Sequence, residues 1–491
     1  MKDLSSFLKE LGTAFPDEIK QVDNLVAPHS YEASAVMELF EREHQYPLVV
    51  FKNLLNMKQE KTDFKLLFNA FSNMEKMAVT LGVDKPVGKL IMEKYYQGSM
   101  NPKKVVLVNH NEAPVKELVW RDQEVDLNIF PIPRINEMDG APYLTPGIIT
   151  KDGDSGRHNV SWNRAMVLDK NHIGLWMSPR HLWSIFSKYE QKGEALPIAM
   201  VLGHHPAFYM AGAGLTKISQ DEYEVTGGVL GEGLRVVESE TFGGELLVPA
   251  DAEIILEGLI LPERRSVEGP FGEFTGYSGP QRISWLVEIK AATARKGGTI
   301  ISVFGGHQDN LFAHMPIQAD IFHDLKNIMP AVKDISWVDS GGPLNMIISM
   351  NKKTEGEPVR AAMAAMSLSN FIKHVIVVDD DIDPGNLKQV MWAWSTRVQA
   401  DKDINIIKRT QGQLLDPSLS EEIAGAAMIV DATKPVGQPY AVKAQPPENV
   451  INSVGKGIFA QIKKLIPEDG YSMANIAITN TSETHIHDKI I

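Results

Sequence analysis

VPADAEIILEGLILPERRSVEGPFGEFTGY, residues 248–277, joins a strand-like run to a cluster of acids and aromatics. Residues 254–261 are mostly apolar, Glu257 apart, and rich in Ile and Leu, a strand pattern closed by a proline. EGPFGEFTGY, residues 268–277, then places two carboxylates, Glu268 and Glu273, on either side of a Gly/Pro turn. Glycine and proline let the backbone fold tightly, so both acids could face one pocket. Phe271, Phe274 and Tyr277 would lower the local dielectric there. Burial raises a carboxyl pKa towards neutrality, which a general acid requires. The ordinary reading of such a turn is a solvated surface loop, and taken alone it is the commoner one.

Outward from this block, strand patterns dominate 116–310. They fall at 160–168, 173–177, 285–291 and 299–304, with Gly and Pro between them and a hairpin connection at 169–172. This region is expected to be a β-rich, barrel-like domain. Residues 1–115 mix helices and short strands: amphipathic helix at 1–11, helices at 32–42, 64–71 and 74–81, and a strand at 47–51. A linker helix is expected at 311–330. From 331 to 491 the pattern alternates: strand 346–350, helix 359–367, strand 375–378, helix 387–395, strand 404–407. Alternation of this kind predicts a largely parallel sheet with helices on its faces. A last helix, 450–465, is expected to cross to a partner subunit. The fold class is mixed α/β.

The 491 residues include no cysteine, which excludes disulfides, thiolate metal sites and a cysteine nucleophile. The net charge of −13 disfavours a nucleic-acid partner but allows one anion in a locally positive pocket. The longest apolar stretch, 196–215, is broken by His204, His205 and Pro206, so no membrane insertion is expected. A cytoplasmic protein is the plain reading.

Other residues could carry chemistry. On a strand through NVSWNR, residues 159–164, Asn159, Ser161 and Asn163 share one face, while Val160, Trp162 and Arg164 share the other. A buried Arg164 would need an anionic partner and could grip a carboxylate with its planar fork. His181 follows Arg180 where a strand passes into a helix, a place from which a ring nitrogen can ligate a metal. Asp221, Glu222 and Glu224 offer hard oxygen ligands. For each, a solvated or capping role is the commoner one. The glycines at 211–214 and 227–233 lack the following Lys-Ser/Thr of a phosphate loop. Asp379–Asp381 ends a predicted strand, where loops often bind ligands, but 381–384 reads equally as a helix-start turn, and His485 and His487 lie where chains fray.

In this order the features are specific. Asn-x4-Arg, a His about 17 residues on, a Glu before a Gly-rich stretch, Val-Pro-Ala at 248–250, EIILEG at 253–258 and EGPFGE at 268–273 resemble the UbiD-like family of prenylated-flavin decarboxylases. Residues 387–400 and LDPS at 415–418 are similar to its C-terminal domain. The resemblance covers nearly the whole chain. It implies an N-terminal α/β segment, a central split β-barrel that binds prenylated FMN, and a C-terminal α/β three-layer domain that dimerises. It implies metal ligands Asn159, His181 and Glu222, with Gly227 and Gly231 favouring Glu222 over Asp221 and Glu224. Oxygen and imidazole donors suit Mn2+ or Mg2+, with K+ nearby in the family. Trp162, Asn163, Arg164, Met177 and Arg180 would approach the flavin or substrate.

The implied activity is reversible non-oxidative decarboxylation (a carboxy-lyase) of an aromatic, heteroaromatic or α,β-unsaturated acid through a covalent adduct with the flavin. Protein side chains stabilise a carbanion poorly, so a cofactor must act as electron sink. By the resemblance Glu273 donates the proton, Arg164 orients the carboxylate and Glu268 holds Arg164. Implied partners are a flavin prenyltransferase as cofactor supplier and further copies of the chain, as a homodimer or higher homo-oligomer. A non-catalytic flavin-binding or assembly protein, or an FMN reductase on the same fold, are the rival readings.

Overall fold

The computed structural model describes residues 2–338, 340–419 and 424–463. The chain forms two compact units, 1–436 and 437–491.

The first unit opens with helix Leu4–Ala14, whose start is fixed by a reciprocal Asp3–Ser6 capping box. A small sheet follows in the order Ile19–Val26, Leu48–Leu55, Lys65–Phe68, Thr299–Ile301, with Lys61–Thr62 on the second strand. The run at 64–71, expected as a helix, is therefore strand Lys65–Phe68. Short apolar runs carry no decisive period. Here Leu66, Leu67 and Phe68 are all buried, and both backbone edges are paired, antiparallel to Leu48–Leu55 and parallel to Thr299–Ile301. Tertiary pairing decided the element.

The central sheet is curled, in the order Tyr143–Leu144, Ala165–Val167, His172–Leu175, Arg282–Ala294, Ile254–Glu268, Leu196–Val201, Gly147–Lys151, His158–Trp162, with Leu118–Arg121 at the side of Arg282–Ala294. Its two ends are the two halves of one hairpin. Leu144 pairs with Ala165, and Gly147 pairs with Trp162. Between them the ladder is split, so the strand expected at 160–168 is broken at Asn163 and Arg164. Pro146 sits opposite and has no N–H to offer a ladder; only its carbonyl is used, accepting from Asn163 N–H at 3.2 Å. This split frees Arg164 from strand geometry. Ile148, Leu175, Met200, Leu256, Ile260 and Val287 fill the barrel interior.

Helices Met315–Ile328 and Gln308–Phe312 lead into a five-stranded sheet in the order Val332–Val338, Gly342–Met350, His374–Asp379, Ala424–Ala432, Ile404–Gln411. Helices Glu357–Leu368 and Leu387–Arg397 fall where periodicity placed them. The sheet is only half parallel. Its two inner pairings are parallel and its two outer pairings antiparallel. Only three residues separate Val332–Val338 from Gly342–Met350, too few for the crossover that parallel pairing needs.

In the second unit Glu448–Val450, Ile451–Gly455 and Lys456–Lys463 run helically. The end of the helix expected at 450–465, and His485 and His487, lie outside the described residues.

Candidate active site

Two groups of side chains are anchored on this split hairpin, one by Arg164 in the break and one by Asn159 on strand His158–Trp162. The first is built on Arg164, in the break. Its Nε donates to Glu268 Oε1 at 2.8 Å and one terminal nitrogen to Glu268 Oε2 at 3.1 Å. Its other terminal nitrogen donates to Glu273 Oε1. The guanidinium lies 5.2 Å from the Phe271 ring centroid. Glu268 is 0% exposed and Glu273 6%, so the arrangement is a desolvated carboxylate–guanidinium–carboxylate network. Burial works against the charge on Arg164, yet Glu273 and Glu268 outweigh it and hold the pKa above the usual arginine value. Burial also raises the Glu273 carboxyl above the ordinary glutamate value, although Arg164 opposes the shift.

The turn predicted between the acids is present. Strand Ile254–Glu268 ends at Glu268, Gly269 adopts φ +91°, the Gly269–Pro270 peptide is cis, and Phe271–Gly272 pairs with Ser278–Gly279. At Gly269 an added Cβ would lie 2.7 Å from the Pro280 carbonyl oxygen. Only glycine meets both demands without strain. Tyr143, absent from the sequence reading, ties the turn down. Its hydroxyl donates to Glu268 Oε1 at 3.1 Å and accepts from Gly269 N–H at 3.0 Å. No local signal marks Tyr143, since it acts across a long chain separation.

The second group joins Asn159, His181 and Glu222. His181 Nδ1 is 2.9 Å from Glu222 Oε1, and Asn159 Nδ2 donates to Glu222 Oε2 at 2.7 Å. The Val160 N–H donates to the same oxygen at 2.5 Å. His181 opens helix His181–Gln191 and Glu222 opens helix Glu222–Leu230. The hydrogen bond to Glu222 raises the His181 pKa. Asp221 instead caps its helix through Tyr223 N–H at 3.0 Å and contacts His158. Of the Gly-rich stretch after Glu222, Gly227 and Gly228 are helical and Gly231 ends the helix at φ +81°. A Cβ on Gly228 would meet the Gly98 carbonyl oxygen at 2.2 Å, so its glycine serves close helix packing.

Among the described residues no three His, Asp or Glu side chains cluster as a metal cage. The Asn159 amide fits the missing place. Its Oδ1 is buried with no hydrogen-bond partner, which is costly unless something occupies it. One imidazole and two oxygens make a donor set for a hard divalent cation.

Trp162 and Asn163 lie beside the break, and Met177 and Arg180 shortly precede helix His181–Gln191. Trp162 Nε1 donates to the Thr145 carbonyl at 3.0 Å and its ring packs on Phe71. Asn163 Nδ2 donates to the Trp176 carbonyl at 3.3 Å, and its Oδ1 is buried and unpartnered. Met177 is 1% exposed in the barrel core and serves as an apolar wall. Arg180 keeps accessible surface, stands 5.7 Å from the Phe371 ring centroid and is crowded enough for burial to lower its pKa. Phe371 and His314 both contact Phe274, at 5.6 and 5.4 Å between centroids. Burial pushes the His314 pKa down to about 4, so the ring is neutral. Neither Phe371 nor His314 carries a sequence signal, because each reaches Phe274 from beyond the barrel. Among the described residues, no helix is long and apolar enough to cross a membrane.

The chain is similar to known proteins along most of its length. Residues 106–308 match the 3-octaprenyl-4-hydroxybenzoate carboxy-lyase Rift-related domain, and residues 310–432 match the C-terminal domain of the same carboxy-lyases. The chain is 31% identical to the anhydromevalonate phosphate decarboxylase of Methanothermobacter thermautotrophicus, over 88% of this chain and 97% of that one. It is 31% identical to the phenolic acid decarboxylase of Sedimentibacter hydroxybenzoicus, over 89% and 92%. Among solved structures it is similar to the UbiD-class enzyme HmfF of Pelotomaculum thermopropionicum in complex with FMN, with TM-score 0.85, 32% identity and coverage of 93% of this chain and 100% of that one. An evolved dimeric form of HmfF in complex with prFMN gives TM-score 0.82 at 30% identity, over 94% and 100%. With relatives of this kind along most of its length and a mixed α/β fold around a curled sheet, the chain belongs to the UbiD family of carboxy-lyases and is a decarboxylase.

Proposed function

We propose that this protein decarboxylates, reversibly and without oxidation, a flat aromatic or heteroaromatic acid, using prenylated FMN held with a divalent cation. The single observation that carries the reading is Arg164, forked onto Glu268 and also bonded to Glu273. FMN and prFMN in HmfF support the flavin, and the phenolic acid decarboxylase supports the substrate class. A cytoplasmic homo-oligomer supplied by a flavin prenyltransferase completes the proposal; the dimeric HmfF variant supports self-association.

The bound flavin would supply the electron sink that protein side chains lack. Asn159, His181 and Glu222 would hold Mn2+ or Mg2+, with K+ nearby, and the ion would anchor the flavin phosphate. The unpartnered Asn159 Oδ1 supports that role. Trp162, Asn163, Met177 and Arg180 would border the flavin and substrate. Arg164 orients the substrate carboxylate, since an anion entering an apolar pocket needs a cation to meet it. Glu268 keeps Arg164 in place. Glu273, its carboxyl pKa raised by burial, holds the proton that replaces CO2 on the ring carbon. Phe274, Phe371 and neutral His314 pack edge to face as an apolar, aromatic wall suited to an aromatic ring.

The test is co-expression with a flavin prenyltransferase, followed by CO2 release from a panel of hydroxybenzoates, vanillate, furoates and cinnamates. Turnover of at least one acid by prenyl-flavin-loaded protein, and none by FMN-loaded protein, is expected. A fully loaded protein inert towards the whole panel would remove the substrate class.

A further inference from the structure

Arg282 starts strand Arg282–Ala294 and lies directly opposite Glu268 in the antiparallel pair. Side chains of a directly opposed pair project from the same face of a sheet. Arg282 therefore leaves the ladder on the side where Glu268 meets Arg164. The next pair, Val267 and Ile283, faces away and is 42% and 70% exposed. The Arg282 guanidinium stands 4.7 Å from the Trp176 ring centroid, a contact that fixes the cation without neutralising it.

Arg282 is half-buried, and among the described residues its side chain makes no ion pair and no hydrogen bond. It nevertheless feels Arg164, Glu273 and Glu268 electrostatically. The charge count gives this meaning. With Glu273 protonated as the proton donor, Arg164 and Glu268 cancel, so the network alone offers an arriving anion no net attraction. One additional cation on the same face supplies that attraction, and low-dielectric walls strengthen its effect. A half-buried guanidinium with no carboxylate of its own keeps its charge available to a ligand.

We propose that Arg282 is a specificity-determining cation, which selects an anionic ring substrate over its neutral analogue by adding the net positive charge that the Glu268–Arg164–Glu273 network lacks. The proposal rests on the carboxylate-substrate reading above. Arg282 acts at a distance, through charge, and donates no proton.

The test is calorimetric titration of the flavin-loaded full chain with 4-hydroxybenzoate and vanillate and with their amides at low salt. Wild type should bind the acids at least about tenfold more tightly than the amides. Arg282→Gln should lose about tenfold in acid affinity and leave amide affinity unchanged. Arg282→Lys should keep most of the acid preference, and added salt should erode it in wild type. Flavin absorbance identical to wild type shows that each variant pocket is intact. Unchanged acid affinity in Arg282→Gln would overturn the proposal, as would equal loss for acid and amide, which marks a merely structural role. A wild type that fails to distinguish acid from amide would instead overturn the carboxylate-substrate reading, and this proposal with it.

Discussion

Arg164 grips Glu268 through two parallel contacts, Nε to Oε1 at 2.8 Å and a terminal nitrogen to Oε2 at 3.1 Å. That fork fixes the plane of the guanidinium and leaves its far edge to Glu273. A lysine could satisfy one oxygen but not the plane. Arg164→Lys and Arg164→Ala should therefore both retain metal and lose decarboxylation, with Ala the worse. Removing one partner of a buried charged pair costs roughly 3–5 kcal/mol, so Arg164→Ala should also unfold at lower denaturant. Steady-state CO2 release, metal content and a urea melt check all three. Normal turnover by Arg164→Ala would move carboxylate binding elsewhere, with Arg180 the next candidate.

Glu273→Gln should fold and keep its flavin but lose turnover by ~10²–10⁴-fold, because an amide cannot donate the proton. The pH dependence has a definite sign. A proton donor works only while protonated, and burial raises the Glu273 pKa. Decarboxylation by wild type should therefore persist above the ordinary glutamate range and fall as pH rises through the raised value. A pH–rate profile that climbs across that range would contradict the assignment.

His181→Ala and Glu222→Ala should lose metal and flavin together, since the proposed ion links the protein to the flavin phosphate. Elemental analysis and the flavin spectrum of the purified variants report both. Full metal occupancy in either variant would remove that residue from the ligand set.

Tyr143→Phe tests the tie beneath the turn. The change deletes the bond to Glu268 and leaves the buried Gly269 N–H without its partner. An unsatisfied buried donor costs about 1–3 kcal/mol. The variant should melt earlier and turn over several-fold more slowly, with metal content unchanged. A variant as stable and active as wild type would show that Glu268 needs no support.

The sequence by itself determined the elements with strong local signals. The amphipathic helices at 4–14, 32–42 and 357–368 follow from 3.6-residue spacing. The Glu268–Glu273 turn follows from glycine and proline at positions that only they tolerate. The order of motifs carried the resemblance, and with it the candidate residues. What the sequence left open was settled by contacts between distant segments. Arg164 meets Glu268 104 residues on, Tyr143 meets Glu268 across 125, and Glu222 meets Asn159 across 63. No local period encodes such meetings, because they arise when the curled sheet brings its strands into register. The same reason turned 65–68 into a strand, paired with Thr299–Ile301 far along the chain. Propensity is a weak preference spread along the chain, while paired backbone and buried side chains are strong and non-local. The split at Asn163 and Arg164 shows both at work: Pro146 is written in the sequence, but only the folded hairpin sets it opposite the residues it releases.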